Sequence, residues 1–154
     1  MLIAALSLTA CQGQTNKSTT KNETTKVQKT DEQWRKQLTA EQYSVLREKA
    51  TEAPHTGEYV NTFEKGIYVC AACGNKLFES DSKFHSDCGW PSFDKAIKGS
   101  VKYITDSSFG MIRDEVVCAN CGGHLGHVFD DGPKDTTGKR FCTNSVSVKF
   151  IPEN

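Results

Sequence analysis

The chain has 154 residues, 36% of them hydrophobic, with 12 glycines, which suits one loop-rich domain whose modest core would gain from a metal or disulfide staple. Its 19 basic and 19 acidic side chains cancel, so no global field draws it to nucleic acid or to an anionic membrane. Seven cysteines is a high and odd number for this length, and the leftover thiol needs its own explanation.

The chain opens with an apolar, small-residue run from Met1 to Ala10, and Cys11 follows at once. Such a run reads as a secretory signal and is too short to span a bilayer as a helix. Leu8-Thr9-Ala10-Cys11 resembles the lipobox of bacterial lipoproteins, whose cysteine is diacylated and becomes the new N-terminus. No Lys or Arg precedes the run. Residues 12–30 are almost wholly polar, with Val27 as the one large apolar side chain, and cannot bury enough surface to offset their ordering entropy. The organisation expected is a signal over residues 1–11, a disordered tether over 12–30 and a folded domain over 31–154. The membrane would be reached through a lipidated Cys11, which puts the domain outside the cytoplasm on the bacterial cell envelope.

Asp31 is the expected N-cap of a helix over Glu32 to Leu38, and Thr39 that of a second from Ala40 to about Ala50. Tyr43, Leu46 and Ala50 give the second helix one apolar stripe for core packing. Pro54 and Gly57 close this part, and Glu58 to Phe63 reads as a short strand or loop.

Ile67-Tyr68-Val69 is a β-prone run leading into Cys70-Ala71-Ala72-Cys73-Gly74, and Val116-Val117 leads likewise into Cys118-Ala119-Asn120-Cys121-Gly122. Two strand-Cys-x-x-Cys-Gly knuckles are the halves of a tetrahedral tetrathiolate site, with each glycine letting backbone amides turn inward. Disulfides or a redox pair are the alternatives. A four-sulfur set favours structural zinc over iron, and it leaves no open position for catalysis. The gap of about 45 residues between the pairs implies a staple between distant strands.

Cys88 lies outside any Cys-x-x-Cys pair, in Cys-Gly-Trp-Pro-Ser-Phe. The stiff turn through Pro91 would present the Trp90 indole as the wall of an apolar pocket, flanked by Phe84 and Phe93, although a core role is the commoner fate of tryptophan. Phe109, Met111 and Ile112 would supply a strand before the second knuckle. In the glycine-rich stretch Gly122 to Pro133, His124 and His127 stand three apart. Four sulfurs already satisfy one ion, so proton donation near neutral pH suits these histidines better than metal binding, and Asp131 could orient a histidine or Arg140.

Cys142 is the other unpaired thiol, two residues after Arg140 and just before an alternating run from Ser145 to Ile151 that reads as a strand. At the lip of a sheet beside a permanent cation, its thiol pKa would fall and it would act as a nucleophile. A small buried hydrophobe is the bland alternative, and the residue alone does not choose. With one cysteine for lipid and four for metal, Cys88 and Cys142 are left, which is the complement disulfide-forming redox catalysis requires.

Taken together, Cys-Ala-Ala-Cys-Gly, Gly-Cys-Gly-Trp-Pro-Ser-Phe, Cys-Ala-Asn-Cys-Gly, Gly-Gly-His-Leu-Gly-His-Val-Phe-Asp-Asp-Gly-Pro and Lys-Arg-Phe-Cys-Thr-Asn-Ser, between about Asp31 and Glu153, resemble the B-type methionine sulfoxide reductases. The resemblance implies a mainly β fold of two antiparallel sheets with short N-terminal helices, stapled by a four-cysteine zinc site away from the active site. It implies Cys142 as nucleophile and Cys88 as resolving cysteine, with Trp90 and Phe93 toward the substrate methyl group. His124, His127 and Asn144 would position the sulfoxide, and Arg140 and Asp131 would shape the charge. The substrate implied is methionine-R-sulfoxide in oxidised proteins, and the disulfide would be recycled by a thioredoxin-like donor.

Two other classes are weaker. A zinc-knuckle module for nucleic acid or protein leaves Cys88, Cys142 and the histidines unused, and the charge balance offers no basic face. A general thiol-disulfide exchange protein would use a Cys-x-x-Cys as its active pair.

Overall fold

The computed structural model describes residues 27–154, so the expected signal, lipid anchor and most of the tether lie outside the described residues. Two short helices come first: α1 (Asp31–Gln37) and α2 (Ala40–Glu48). Each starts at a Thr-x-x-Gln box, in which the threonine hydroxyl accepts from the glutamine N–H and the glutamine side chain accepts from the threonine N–H. The cap of α1 is therefore Thr30 rather than Asp31. Helices this short are marginal alone. They persist because Trp34, Tyr43, Val45 and Leu46 are buried in the domain core. Lys49, left-handed at φ 61°, ends α2 before Ala50.

Among the described residues nine strands follow: β1 (Gly66–Cys70), β2 (Lys76–Glu79), β3 (Lys83–Phe84), β4 (Ser92–Phe93), β5 (Val101–Asp106), β6 (Arg113–Cys118), β7 (His124–Phe129), β8 (Arg140–Thr143) and β9 (Val148–Pro152). They form two antiparallel sheets, ordered β2-β1-β9 and β3-β4-β8-β7-β6-β5. The mainly β fold with two sheets and N-terminal helices is thus as the sequence implies. An aromatic core joins the sheets: Phe93 of β4 stacks on Phe78 of β2 at 4.3 Å between ring centres, and Tyr68 of β1 meets Phe93 edge-on at 4.9 Å. Each such buried ring contributes on the order of 1.5–3 kcal/mol by area alone.

Several segments depart from expectation, each for a physical reason. The run from Ser145 to Ile151 is not one strand. Its first three residues form a 3-10 turn because the Glu52 carboxylate accepts the N–H groups of Ser145 (2.6 Å) and Val146 (3.1 Å), which removes them from any ladder. Pairing with β1 begins only at Val148. Phe109, Met111 and Ile112 form an exposed hairpin turn instead of a strand, and β6 starts at Arg113. Residues 58–63 agree with expectation: of the two readings, strand or loop, they take the loop, with a turn over 58–61.

Candidate active site

Cys142 does not sit at the lip of a sheet. It lies inside the six-stranded sheet on β8, opposite Ser92 of β4 on one side and His127 of β7 on the other. Opposed residues share a face, so Ser92, Cys142 and His127 form one row of side chains. Cys88, in the turn leading to β4, brings its Sγ to 3.6 Å from Cys142 Sγ and 3.3 Å from Ser92 Oγ. A cavity of about 120 Å³ opens above the row, lined by Trp90, Cys142, His127, Asn144, Arg113 and Phe129 among others. The indole N–H of Trp90 donates to the Glu52 carbonyl (3.2 Å), which fixes the ring as a wall. Phe93 does not join it: with no exposed surface it belongs to the core, because the alternation that turns Ser92 toward Cys88 turns its neighbour inward.

The two thiols differ in acidity. Burial raises Cys142 most, proximity to Cys88 adds to this, and together they outweigh Arg140, so its thiol is pushed up to about 12. Burial raises Cys88 too, but hydrogen bonding with Ser86 and Ser92 and contact with Cys142 bring it down to about 7. The expectation that Arg140 makes Cys142 the thiolate is therefore corrected. Arg140 acts in that direction and is outweighed by burial and by Cys88.

His124 and His127 lie in β7. Successive partners of Val116 and Val117 on β6 are Gly126 and His124, so Leu125 is the extra residue of a bulge. The bulge shifts the alternation by one, which brings histidines three apart onto one face with ring centres 5.5 Å apart. A Cβ on Gly126 would meet the Cys142 carbonyl oxygen at 1.9 Å, so only glycine allows β7 and β8 this approach. Each ring is held by a carboxylate from β5 or β6. His124 Nδ1 pairs with Glu115 (2.8 Å), which also takes Lys49 (2.7 Å), and His127 Nε2 pairs with Asp106 (2.8 Å), which also takes Arg113 (2.8 Å). Carboxylates only accept, so the facing ring nitrogens carry the hydrogens. Burial lowers the His124 pKa, the Glu115 carboxylate opposes it less strongly, and the ring stays neutral with Nε2 bare.

Asp131 orients Arg140 and neither histidine, through two parallel bonds of 2.8 Å. The Arg140 guanidinium also lies over Phe129, 4.6 Å from the ring centre. Asn144 lines the cavity, but its amide is largely committed: Oδ1 accepts from Glu52 N–H (3.0 Å) and Nδ2 donates to the Leu125 carbonyl (3.0 Å). Sequence reasoning missed Glu52, Asp106, Arg113 and Glu115. A charge at Glu115 amid the apolar end of β6 was the available signal for one of them. Nothing local marks Glu52, whose partners lie about 90 residues away.

The knuckles close a second centre away from the cavity. The sulfurs of Cys70, Cys73, Cys118 and Cys121 lie within 4.8 Å of one another, with Cys70–Cys121 at 3.7 Å and Cys73–Cys118 at 3.6 Å. Tetrahedral Zn–S bonds of about 2.3 Å require roughly 3.8 Å between sulfurs, so the set fits that ion as it stands. Side-chain amides of Asn75 and Asn120 donate to Cys118 and Cys73 at 3.5 Å, which suits sulfurs that carry charge. Gly74 and Gly122, at φ 73° and 70°, make the matching left-handed turns.

Comparison with known proteins agrees with the motifs. Residues 38–152 match the SelR domain family. The chain is 57% identical over 135 residues, covering 87% of its own length and 96% of the relative's, to "Peptide methionine sulfoxide reductase MsrB" of Bradyrhizobium diazoefficiens. It is 56% identical over 128 residues, 82% of this chain and 96% of the other, to the protein of the same name in Chromohalobacter salexigens. A looser likeness links it to the "Yippee-like" domain of Mis18, at TM-score 0.46 and 14% identity over 59% of this chain and 99% of that one. With that family match spanning the knuckles, the thiol pair and the histidine strand alike, the chain belongs to the SelR-domain family of B-type methionine sulfoxide reductases.

Proposed function

We propose that the chain reduces the R epimer of methionine sulfoxide in oxidised proteins, with Cys142 as nucleophile, Cys88 as resolving thiol and zinc in the four-cysteine centre. The 3.6 Å contact between the two sulfurs carries this reading, because a sulfenic acid formed on one lies against the thiol that must condense with it.

The chemistry follows from the charges. Cys142 enters as a thiol. Its sulfur attacks the sulfoxide sulfur as its proton passes to the sulfoxide oxygen. The S–O bond of the substrate breaks and the oxygen leaves as hydroxide, which adds to the Cys142 sulfur as the new S–S bond breaks, so methionine leaves and Cys142 is left as a sulfenic acid. Arg140 supplies a hydrogen bond toward that oxygen, His127 lines the cavity with its Nε2–H held by Asp106, and neutral His124 offers Nε2 as an acceptor for a shuttled proton. Trp90 packs the substrate methyl group. Cys88, already near its thiolate at neutral pH, attacks Cys142 sulfur and expels hydroxide, which is protonated to water. A thioredoxin-like dithiol then reduces the disulfide and is itself oxidised. Zinc would be held by Cys70, Cys73, Cys118 and Cys121, would staple the strands, and would take no part in the chemistry.

Turnover of the separate epimers of a blocked methionine sulfoxide with dithiothreitol tests the activity, with only the R form consumed. Cys142→Ser should abolish it. Cys88→Ser should retain one turnover and lose recycling by a thioredoxin-like donor, so equal steady-state activity of the two variants with such a donor contradicts the assignment.

We also infer a lipid on Cys11 and a place on the outside of the bacterial cytoplasmic or outer membrane, supported by the Leu8-Thr9-Ala10-Cys11 sequence. Growth with a labelled fatty acid should label the protein and not its Cys11→Ser variant.

A further inference from the structure

The hairpin joining β5 to β6 ends in side chains that an ordinary surface turn does not carry. Phe109 is 88% exposed, Ile112 85% and Met111 48%. Exposed apolar clusters of this kind mark contact sites. Phe109 is also left-handed, at φ 57° and ψ 23°, a backbone that bulky residues avoid. The turn is nonetheless held firmly. Ser108 N–H donates to Asp106 (2.9 Å), and Arg113 donates to both Asp106 (2.8 Å) and the Ser108 hydroxyl (3.3 Å). Asp106 is the carboxylate that also grips His127, so the turn and the catalytic cavity share one anchor.

They share space as well. A trough of about 590 Å³ runs along Phe109, Ser108 and Asp106, and it has Thr51, Arg113 and His127 in common with the Cys142 cavity. The cavity, at about 120 Å³, has the volume of roughly four liquid waters, which is room for one short unbranched side chain. Whatever extends from that side chain must leave along the trough. Its carboxylates and cations are already paired with one another, so the apolar surface left along it is the face of Phe109, with Ile112 exposed in the same turn.

We propose that the tip of the β5–β6 hairpin is an apolar subsite, which seats a hydrophobic residue adjoining the methionine sulfoxide in an unfolded polypeptide. This rests on the sulfoxide-reductase reading of the Cys142 cavity. Methionine is mostly buried among apolar neighbours, so a chain opened by oxidation presents the sulfoxide with such neighbours beside it. The subsite makes the enzyme favour sulfoxides flanked by apolar residues over those in polar segments.

The test compares three R-sulfoxide substrates with dithiothreitol as reductant: a blocked single residue, a peptide with leucines flanking the sulfoxide, and the same peptide with glycines there. The wild-type chain should favour the leucine peptide over the glycine peptide by roughly tenfold in kcat/KM, the scale at which apolar pockets discriminate. The double variant Phe109→Asn, Ile112→Thr keeps a residue that tolerates the left-handed turn, and it should bring that ratio to about one. A ratio that stays near tenfold in the double variant overturns the subsite, even if every rate falls. A wild-type ratio near one overturns it too. An unchanged ratio with a raised KM for thioredoxin would assign the tip to the electron donor instead. Failure of the wild type on the blocked residue would remove the reductase reading itself, and that arm does not depend on the hairpin.

Discussion

At the residue scale the central fact is a division of labour between two sulfurs. A cysteine beside an arginine was expected to be the thiolate, yet Cys142 is raised to about 12 and Cys88 lowered to about 7. The cause is burial inside a paired strand, which no local sequence reveals; Arg140, two residues away, was legible and is simply the weaker influence. Because Cys88 raises Cys142 by charge and by hydrogen bonding, Cys88→Ser should lower the pKa of the remaining thiol. Arg140→Met should raise it further. The pH dependence of Cys142 alkylation, followed by mass spectrometry, checks both signs. Movement in the same direction for the two variants would mean that the pair does not share its charge as described.

At the scale of elements, the β7 bulge decides whether the histidines serve one site or two. The His-x-x-His spacing was plain in the sequence, but residues three apart in a regular strand face opposite ways. One unpaired residue, Leu125, reconciles a strand with a shared face. Gly126 was legible as a glycine permitting close approach, but the neighbour it approaches, the Cys142 carbonyl, comes from another strand and could not be read locally. Gly126→Ala should therefore cost about 3 kcal/mol of folding stability, the upper range for an overpacked position. Denaturant unfolding measures it, and a loss under about 1 kcal/mol would show that β7 and β8 can part without harm. Phe93 was read as flanking the Trp90 pocket, and the packing against Phe78 and Tyr68 assigns it to the core instead.

At the scale of the whole molecule, the four-sulfur centre was legible because strand-Cys-x-x-Cys-Gly carries its geometry in a few residues, whereas the two-sheet fold came only from the family resemblance. The sheet order was not legible, because it depends on which strands the knuckles bring together. Cys70 ends β1 of the small sheet and Cys118 ends β6 of the large one, so an ion at the centre ties the sheets directly. Cys118→Ser should release close to one equivalent of zinc by elemental analysis, and it should lower the unfolding midpoint by well over 10 °C, given that structural zinc contributes folding free energy outright. A variant that loses metal but keeps its midpoint would make the centre ornamental to folding.

Only the 3-10 turn at Ser145–Ser147 and the residue before it separate the strand that bears Cys142 from the one that pairs with β1, and Val148 lies opposite Cys70. The carboxyl end of the chain is thus a crossbeam under the metal centre as well as a tail beyond the catalytic sulfur. A protease that trims the last seven residues would leave every group of the reaction in place, yet it would strip β1 of one neighbour and loosen the first knuckle. Damage at the terminus and damage at the ion would look alike.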